Sequence, residues 1–393
     1  MSDHLHRRIG LGLLTAYGVG VMVGAGIYVL VGVAAGKAGV WAPLSFLLAG
    51  IVSVPSALAF SELSGRIPEA AGDSSYVEVG LKRHWLAVLV GAINIIAGTV
   101  ASAAVLRGGV GYLTSIVPVS FEVGVIGLGI VLTLIAVAGV VESLSFAAVL
   151  TGIEVLGLML VIWAGFSAVP VDGWVNPSPP VWSGVLAASI FAFFAFIGFD
   201  DLVNMAEEAK EPERNMPRSI LLSLAITAAL YALVSLAAVR AVPQATLGES
   251  ERPLALVWEY GMESSALFLS AIAVAAALNG VLAQIVMASR VLFGLGRRSP
   301  TLKIFNNAHP RFGTPVLATV LVGLVVILSA MTLPVAKLAE LTTLALLVVF
   351  IIVNAALIGV KRTQGPAAFE VPVWVPYLGI LGCAAMFAAN FAG

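Results

Sequence analysis

Residues 18–28 read Gly18-Val19-Gly20-Val21-Met22-Val23-Gly24-Ala25-Gly26-Ile27-Tyr28, with four glycines in nine residues. They sit inside an apolar run near 10–35, long enough for the ~20 residues that cross a bilayer as a helix. Glycines this dense leave two readings open. They let neighbouring helices approach closely, or they mark an interrupted helix whose backbone is offered to a ligand. A second stretch favours the latter: Phe193-Phe194-Ala195-Phe196-Ile197-Gly198-Phe199-Asp200-Asp201 puts a glycine beside two acids inside the run near 183–205. The two runs are five spans apart and so cross in opposite directions. Paired glycine-interrupted helices in corresponding halves point to a transporter built from inverted repeats, with its substrate site at the breaks.

The rest of the chain agrees with a membrane reading. Of 393 residues, 60% are hydrophobic and 10% charged, and the mean hydropathy is +1.06. Soluble domains carry about 25% charged residues, so these charges are too few to cover a soluble surface, which excludes a soluble enzyme or binding module. The net charge of −1 gives no basic footprint for nucleic acid. Cys383 stands alone, so no intramolecular disulfide forms, and His4, His6, His84 and His309 lack metal-ligand spacing. No cofactor is expected. Apolar stretches fall near 10–35, 40–62, 84–116, 122–141, 144–168, 183–205, 218–243, 262–296, 314–333, 337–360 and 374–392, eleven in all. The run after Arg8 is too long for the core of a cleavable signal. With the N-terminus inside, fifteen Lys and Arg lie on the cytoplasmic side, among them Arg66, Lys82, Lys210, Arg290, Arg297, Arg298 and Arg311. Five (Lys37, Arg107, Arg240, Arg252 and Lys337) lie outside, as the positive-inside rule requires, and Gly393 ends outside.

An interrupted helix frees backbone N–H groups at the start of one half-helix and carbonyls at the end of the other. The N–H end suits a carboxylate and the carbonyl end an ammonium or cation. A zwitterionic α-amino acid fits two such ends without a charged side chain. Phe194 and Phe196 read either as covers over the ligand or as core packing, the commoner role of aromatics at helical spacing.

From Phe193 through Asp200, Asp201, Glu207, Glu208, Pro212, Arg214, Asn215 and Pro217 to Ile220 the chain resembles the sixth-helix signature of the amino acid–polyamine–organocation permeases. Gly24-Ala25-Gly26-Ile27-Tyr28 is similar to that family's first-helix break. Glu62 to Gly72, running on to Tyr76, resembles its second-to-third helix loop, and Ser289-Arg290 to Arg297, His309-Pro310 and Thr314-Pro315 its eighth-to-ninth helix loop. The resemblance implies an all-α polytopic membrane protein of about eleven helices with a leucine-transporter-type 5+5 inverted repeat, helices one and six being discontinuous. It implies a single transmembrane domain over 1–393, with a first repeat at 10–168, a second at 183–360 and an additional helix at 374–392. By the same resemblance Gly24, Ala25, Gly26 and Ile27 hold the substrate carboxylate. Carbonyls of Ala195, Phe196 and Ile197, at the Gly198 break, receive the ammonium. Phe194 falls where the family places an aromatic gate, and Asp200 at a position implicated in coupling.

Two departures stand out. Where many members carry a lysine midway along the fifth helix, Glu154 is the nearest candidate here. An ionisable group in mid-span is by default a functional hypothesis. Glu154 reads as a proton carrier, as a sodium ligand together with Asn279, or as a neutral acid bonded to a neighbouring helix. The family's twelfth helix is missing, which bears on oligomeric state; the sequence does not give that state. Charges elsewhere read as ordinary: Arg107 snorkels to the interface, Glu340 faces interface or vestibule, and Glu142 is solvated. Residues 207–218 form a solvated, mutually paired linker in which Asn215 and Pro217 start the seventh helix. The expectation is therefore a secondary transporter of amino acids in the plasma (inner) membrane, multi-pass, with a cytoplasmic N-terminus. Its mechanism is expected to be alternating access with proton symport, the partners being a small-molecule amino acid, a proton or else sodium, and the lipid bilayer. A polyamine or organic cation transporter, an amino acid exchanger and a sodium-coupled symporter are the alternatives. A sensor lacks an attached signalling domain, a channel lacks a charged ring, and an enzyme lacks a nucleophile–base pair.

Overall fold

In lipid an apolar run has one economical way to satisfy its backbone polar groups, the helix. A computed structural model describes residues 7–68, 72–139, 144–298, 300–309 and 313–391, and among them the chain is helical with no strand. The first part comprises α1 (Leu11–Val23), α2 (Ala25–Ala38), α3 (Ala42–Arg66), α4 (Gly72–Leu81), α5 (His84–Leu113), α6 (Phe121–Ala138), α7 (Leu144–Ser167) and the short α8 (Asp172–Val175). The second comprises α9 (Trp182–Phe196), α10 (Pro212–Ala241), α11 (Gln244–Glu249), α12 (Pro253–Met262), α13 (Leu267–Arg298), α14 (Val316–Thr332), α15 (Val335–Thr363) and α16 (Trp374–Ala389). Between α9 and α10 a 3-10 segment spans Asp201–Glu208.

Each expected apolar stretch contains an apolar helix, and eight of the described helices are long and apolar enough to cross a membrane. Leu11–Val23, Val316–Thr332 and Trp374–Ala389 are shorter. The second part of the 10–35 stretch runs on through a 3-10 turn at Gly39–Trp41 into α3, a continuous 41 residues from Gly26 to Arg66. His4, His6, Glu142, Pro310, Arg311 and Gly393, with residues 69–71 of the loop motif, lie outside the described residues.

Helix α2 packs on α9, α3 on α10, α5 on α13 and α6 on α14, while α1 lies against α7 and α10. Close approach comes from small residues. A Cβ at Gly20 would collide with the Thr151 hydroxyl of α7, and one at Gly18 with Ser223 of α10. Large apolar side chains on α6 (Val123, Ile130, Leu134), α14 (Leu321, Leu324, Leu328) and α16 (Leu378, Leu381) are exposed. That is the surface a lipid-facing helix needs.

The seventh stretch differs from expectation at its start. Helix α10 begins at Pro212, with Glu211 before it in the left-handed region (φ 44°), and Pro217 lies inside the helix. Proline is suited to the first helical position because its missing N–H would be unpaired there anyway. The Asn215 side chain, rather than starting the helix, donates to the Lys210 carbonyl (2.5 Å). The linker is also tied to the N-terminus. Arg8 and Ile9 N–H donate to the Glu208 carbonyl (2.9 and 3.1 Å), and Lys210 N–H donates to the Ile9 carbonyl (2.8 Å).

At the C-terminal end of α3, fully buried Glu62 pairs with Arg66 (2.8 Å) and Lys361 of α15 (2.9 Å) and accepts the Val371 N–H (2.8 Å). This joins α3, α15 and the connector to α16. Arg107 does more than snorkel: it donates to the Ala330 carbonyl in the last turn of α14 (2.7 Å) and lies over the Phe121 ring. Glu340 pairs with Lys337 (3.1 Å) and accepts from Asn390 of α16 (3.2 Å).

Candidate functional site

Helix α1 ends at Val23, Gly24 takes a non-helical conformation (φ −25°, ψ −168°), and α2 starts at Ala25. No side chain caps the N-terminus of α2, so its first N–H groups present a partial positive charge to whatever lies before them. Helix α9 ends at Phe196, Ile197 is extended, and Gly198 has φ +132°, a conformation glycine adopts readily. The two ends touch. A Cβ on Gly198 would fall 2.9 Å from a Val21 methyl and 3.1 Å from the Met22 nitrogen, and one on Gly26 would fall 3.4 Å from the Ala195 Cα. Thus Gly198 lies on the last turn of α1, and Gly26 lies on the last turn of α9.

Where the two carbonyl ends converge, the Tyr231 hydroxyl of α10 lies 2.5 Å from the Met22 carbonyl oxygen and 2.9 Å from that of Ala195. Its single proton serves one of these acceptors at a time. The Phe194 ring lies beside Gly26, whereas Phe196 packs against Gly50 of α3 and the Tyr231 ring (centroids 5.2 Å apart). Ile27, Phe194, Ala195 and Phe196 are all buried. Glu154 of α7 is buried too, with its carboxyl near the Tyr28 and Tyr231 hydroxyls. The Tyr28 hydroxyl donates to the Glu154 main-chain carbonyl (3.1 Å), and the Tyr28 carbonyl in turn accepts from the Tyr112 hydroxyl (2.7 Å). Asn279 is half-buried on α13.

The two acids after the α9 end are held differently. Asp200 is buried, and its Oδ1 accepts the Gly198 N–H (2.9 Å), so the carboxylate closes the turn it belongs to. Asp201 Oδ2 accepts from Gln284 Nε2 of α13 (2.8 Å). A cavity of about 320 Å³ opens elsewhere, lined by Arg66, Glu213 and residues 364–369; none of its lining belongs to the two helix ends.

The amino acid permease family model matches residues 9–393, practically the whole chain. The chain belongs to the amino acid permease family. It is 31% identical to the methylthioribose transporter of Bacillus subtilis (strain 168) over 97% of this chain and 87% of that protein. It is 28% identical to the branched-chain amino acid permease BcaP of the same organism, over 96% of this chain and 87% of that one. To the chloroplastic cationic amino acid transporter 9 of Arabidopsis thaliana it is 30% identical, over 79% of this chain and 58% of that protein. Family and relatives alike are transporters rather than enzymes, so the permease acts as a membrane transport protein.

Two groups at this permease's helix ends escape a reading of sequence. Tyr231 is a lone aromatic in an apolar span, which reads as core packing. Asp73, at the start of α4, reads as a solvated loop acid, yet it is buried and accepts from Asn94 Nδ2 (2.7 Å). Burial, with the Asp200 carboxylate nearby, pushes the Asp73 carboxyl up to about 7, although the Asn94 hydrogen bond acts the other way.

Proposed function

We propose that this permease is a secondary active transporter that carries α-amino acids across the plasma membrane by alternating access, coupled to protons. The observation that carries the reading is the meeting of the helix ends. An uncapped helix N-terminus at Gly24 stands beside two converging carbonyls, of Met22 and Ala195. That pairing of partial charges suits a carboxylate and an ammonium on one small molecule. Gly24, Ala25, Gly26 and Ile27 take the carboxylate, the carbonyls of Ala195, Phe196 and Ile197 take the ammonium, and Phe194 covers them. Because Gly26, Ile27, Phe194, Ala195 and Phe196 are buried, the ligand enters only when helices move apart.

The packing supports a 5+5 inverted repeat with discontinuous first and sixth helices. Helix α1 lies against α7 and α10, and α9 against α15 and α3, so each broken helix meets equivalent neighbours in the two halves. Lysine and arginine placement supports a cytoplasmic N-terminus. Buried Asp200 and Glu154 favour protons as the coupling ion. Sodium held by Glu154 and Asn279 is the competing assignment.

The relatives named for branched-chain and cationic amino acids support an amino acid cargo. One is named for methylthioribose, which makes that compound the natural control. The test is uptake into sodium-free proteoliposomes under an inward proton gradient, with separate arms for labelled amino acids, a polyamine and methylthioribose. Amino acid accumulation abolished by a protonophore is the expected result. Folded protein that moves only the polyamine or methylthioribose overturns the cargo assignment, and uptake that appears only with sodium overturns the coupling ion.

A further inference from the structure

Helix α4 lies between the spans α3 and α5, and its start is seated on the 3-10 segment 201–208. Gly72 holds φ +42°, and a Cβ there would fall 2.8 Å from Asn204 Oδ1 and 3.0 Å from a Val203 methyl. The next residue, Asp73, is 7% exposed and neighbours Asp200 and Asp201. Two buried carboxylates and the half-buried Asp201 thus meet where α4, α5, α13 and the turn after α9 converge.

Their hydrogen bonding is one-sided. Asp73 Oδ2 has Asn94, Asp201 Oδ2 has Gln284 and Asp200 Oδ1 has the Gly198 N–H. Asp73 Oδ1, Asn94 Oδ1 and Gln284 Oε1 are buried with no hydrogen-bond partner among the described residues. All three of these oxygens are acceptors. No lysine or arginine forms an ion pair with any of the three acids among the described residues. Buried oxygens without donors are costly, and adjacent carboxylates do not all ionise cheaply. What the cluster lacks is hydrogen.

Helix α5 presents Asn94, α13 presents Gln284, and α1 presents the Tyr17 phenol near Asp201. Helix α15 meets α4 backbone to backbone at Gly80, Ala356 and Gly359, and α3 sets the Phe60 ring against Tyr76. The Glu78–His84 pair lies on the solvated side of α4.

We infer that Asp73 is a third proton-binding carboxylate, sharing protons with Asp200 and Asp201 and linking α4 to the sixth-helix turn. The inference rests on the proton-coupled reading above and extends it to a residue outside the spans. A proton taken from water adds to Asp73 Oδ1, cancels one negative charge and supplies a donor to a neighbouring carboxylate. Its return to water on the other side restores three like charges, which drive α4 and the 201–208 segment apart.

The test uses the full-length protein in lipid nanodiscs without substrate. The infrared C=O band of protonated carboxyl groups is titrated with pH in wild type, Asp73→Asn and Asp73→Glu, each checked by thermal melting. The wild-type band is expected to titrate with a midpoint near 7, Asp73→Asn to lose that step and Asp73→Glu to keep it. In proteoliposomes Asp73→Asn should lower gradient-driven accumulation of labelled amino acids by up to about fifty-fold at ~100 mV, the worth of one coupled charge. An unchanged titration step in Asp73→Asn, or full accumulation by that variant, overturns the inference. A folded wild type that moves no amino acid overturns the transport reading instead; the substrate-free titration decides Asp73 by itself.

Discussion

Tyr231→Phe removes one oxygen and tests the site directly. The hydroxyl is the donor shared by the Met22 and Ala195 carbonyls, at 2.5 and 2.9 Å, in a fully buried position. Its one proton satisfies one acceptor at a time, so the variant leaves one further buried carbonyl without a donor. That costs ~1–3 kcal/mol, or a fall in melting temperature on the order of a few degrees. Added amino acid should change this result if its ammonium seeks the same carbonyls. The ammonium then supplies the lost donor, and the loaded variant recovers most of the deficit. The shift on adding ligand, which follows RT ln(1 + [L]/Kd), therefore becomes larger in Tyr231→Phe than in wild type. The assay is thermal unfolding of both proteins in nanodiscs, with and without saturating amino acid. Equal losses in the free and loaded states would refute the carbonyls as the ammonium seat. No loss in either would refute the shared hydrogen bond itself.

Gly26→Ala should be tolerated, because its Cβ meets the Ala195 Cα at 3.4 Å and the Phe194 ring at 3.6 Å. Gly26→Val adds methyls into that contact at ~1–3 kcal/mol, so amino acid binding should weaken about ten- to a hundred-fold; normal binding removes the carboxylate assignment. Glu62→Gln leaves Arg66 and Lys361, whose side chains are 5% and 6% exposed, with only half-exposed Glu370 for charge among the described residues. Breaking a buried pair of this kind costs ~3–5 kcal/mol, read as a lower melting temperature than that of Glu62→Asp; equal melting of wild type and Glu62→Gln would show the network to be idle. Asp200→Asn and Glu154→Gln should bind amino acid yet accumulate it less, by up to about fifty-fold at ~100 mV. Gradient-driven uptake unchanged in both leaves no proton role for either.

The spans were legible because lipid leaves an apolar run little choice but the helix. Their ends were less so: Pro217 looked like the start of the seventh helix, but Pro212 takes that position and Pro217 is accommodated within it. The glycines of 18–26 occupy two kinds of place. Gly18 and Gly20 make room for α10 and α7, while Gly24 and Gly26 lie at the helix end. No spacing rule separates these uses, since both need the same absent side chain. Tyr231 was invisible because its link to both helix ends lies in one hydroxyl whose acceptors are main-chain atoms more than thirty residues away in sequence. Asp73 was invisible for the opposite reason. An acid between spans is ordinarily solvated, whereas the fold seats Gly72 on Asn204 and buries Asp73 against Asn94.

The connections among these parts bear on how a proton could move a helix. The N-terminal portion of the first helix and the 201–208 segment are joined at one end by the Ile9–Glu208–Lys210 hydrogen bonds. In the membrane they meet again where Gly198 rests on Met22. The outer portions, α2 and α9, are packed on each other. Four segments thus reduce to two pairs, and the chain passes between the pairs only at Gly24 and at Ile197–Gly198. Tyr231 bonds both carbonyl ends at this junction, and the Asp200 carboxylate holds the Gly198 N–H. On the proposed reading, ligand and proton act on the same few backbone groups. An ammonium competes for the carbonyls that Tyr231 ties together, and protonation of Asp200 weakens the acceptor that closes the turn. Coupling on this reading needs no long pathway between two sites, because both bias one hinge whose two arrangements differ in which donors its carbonyls and N–H groups find.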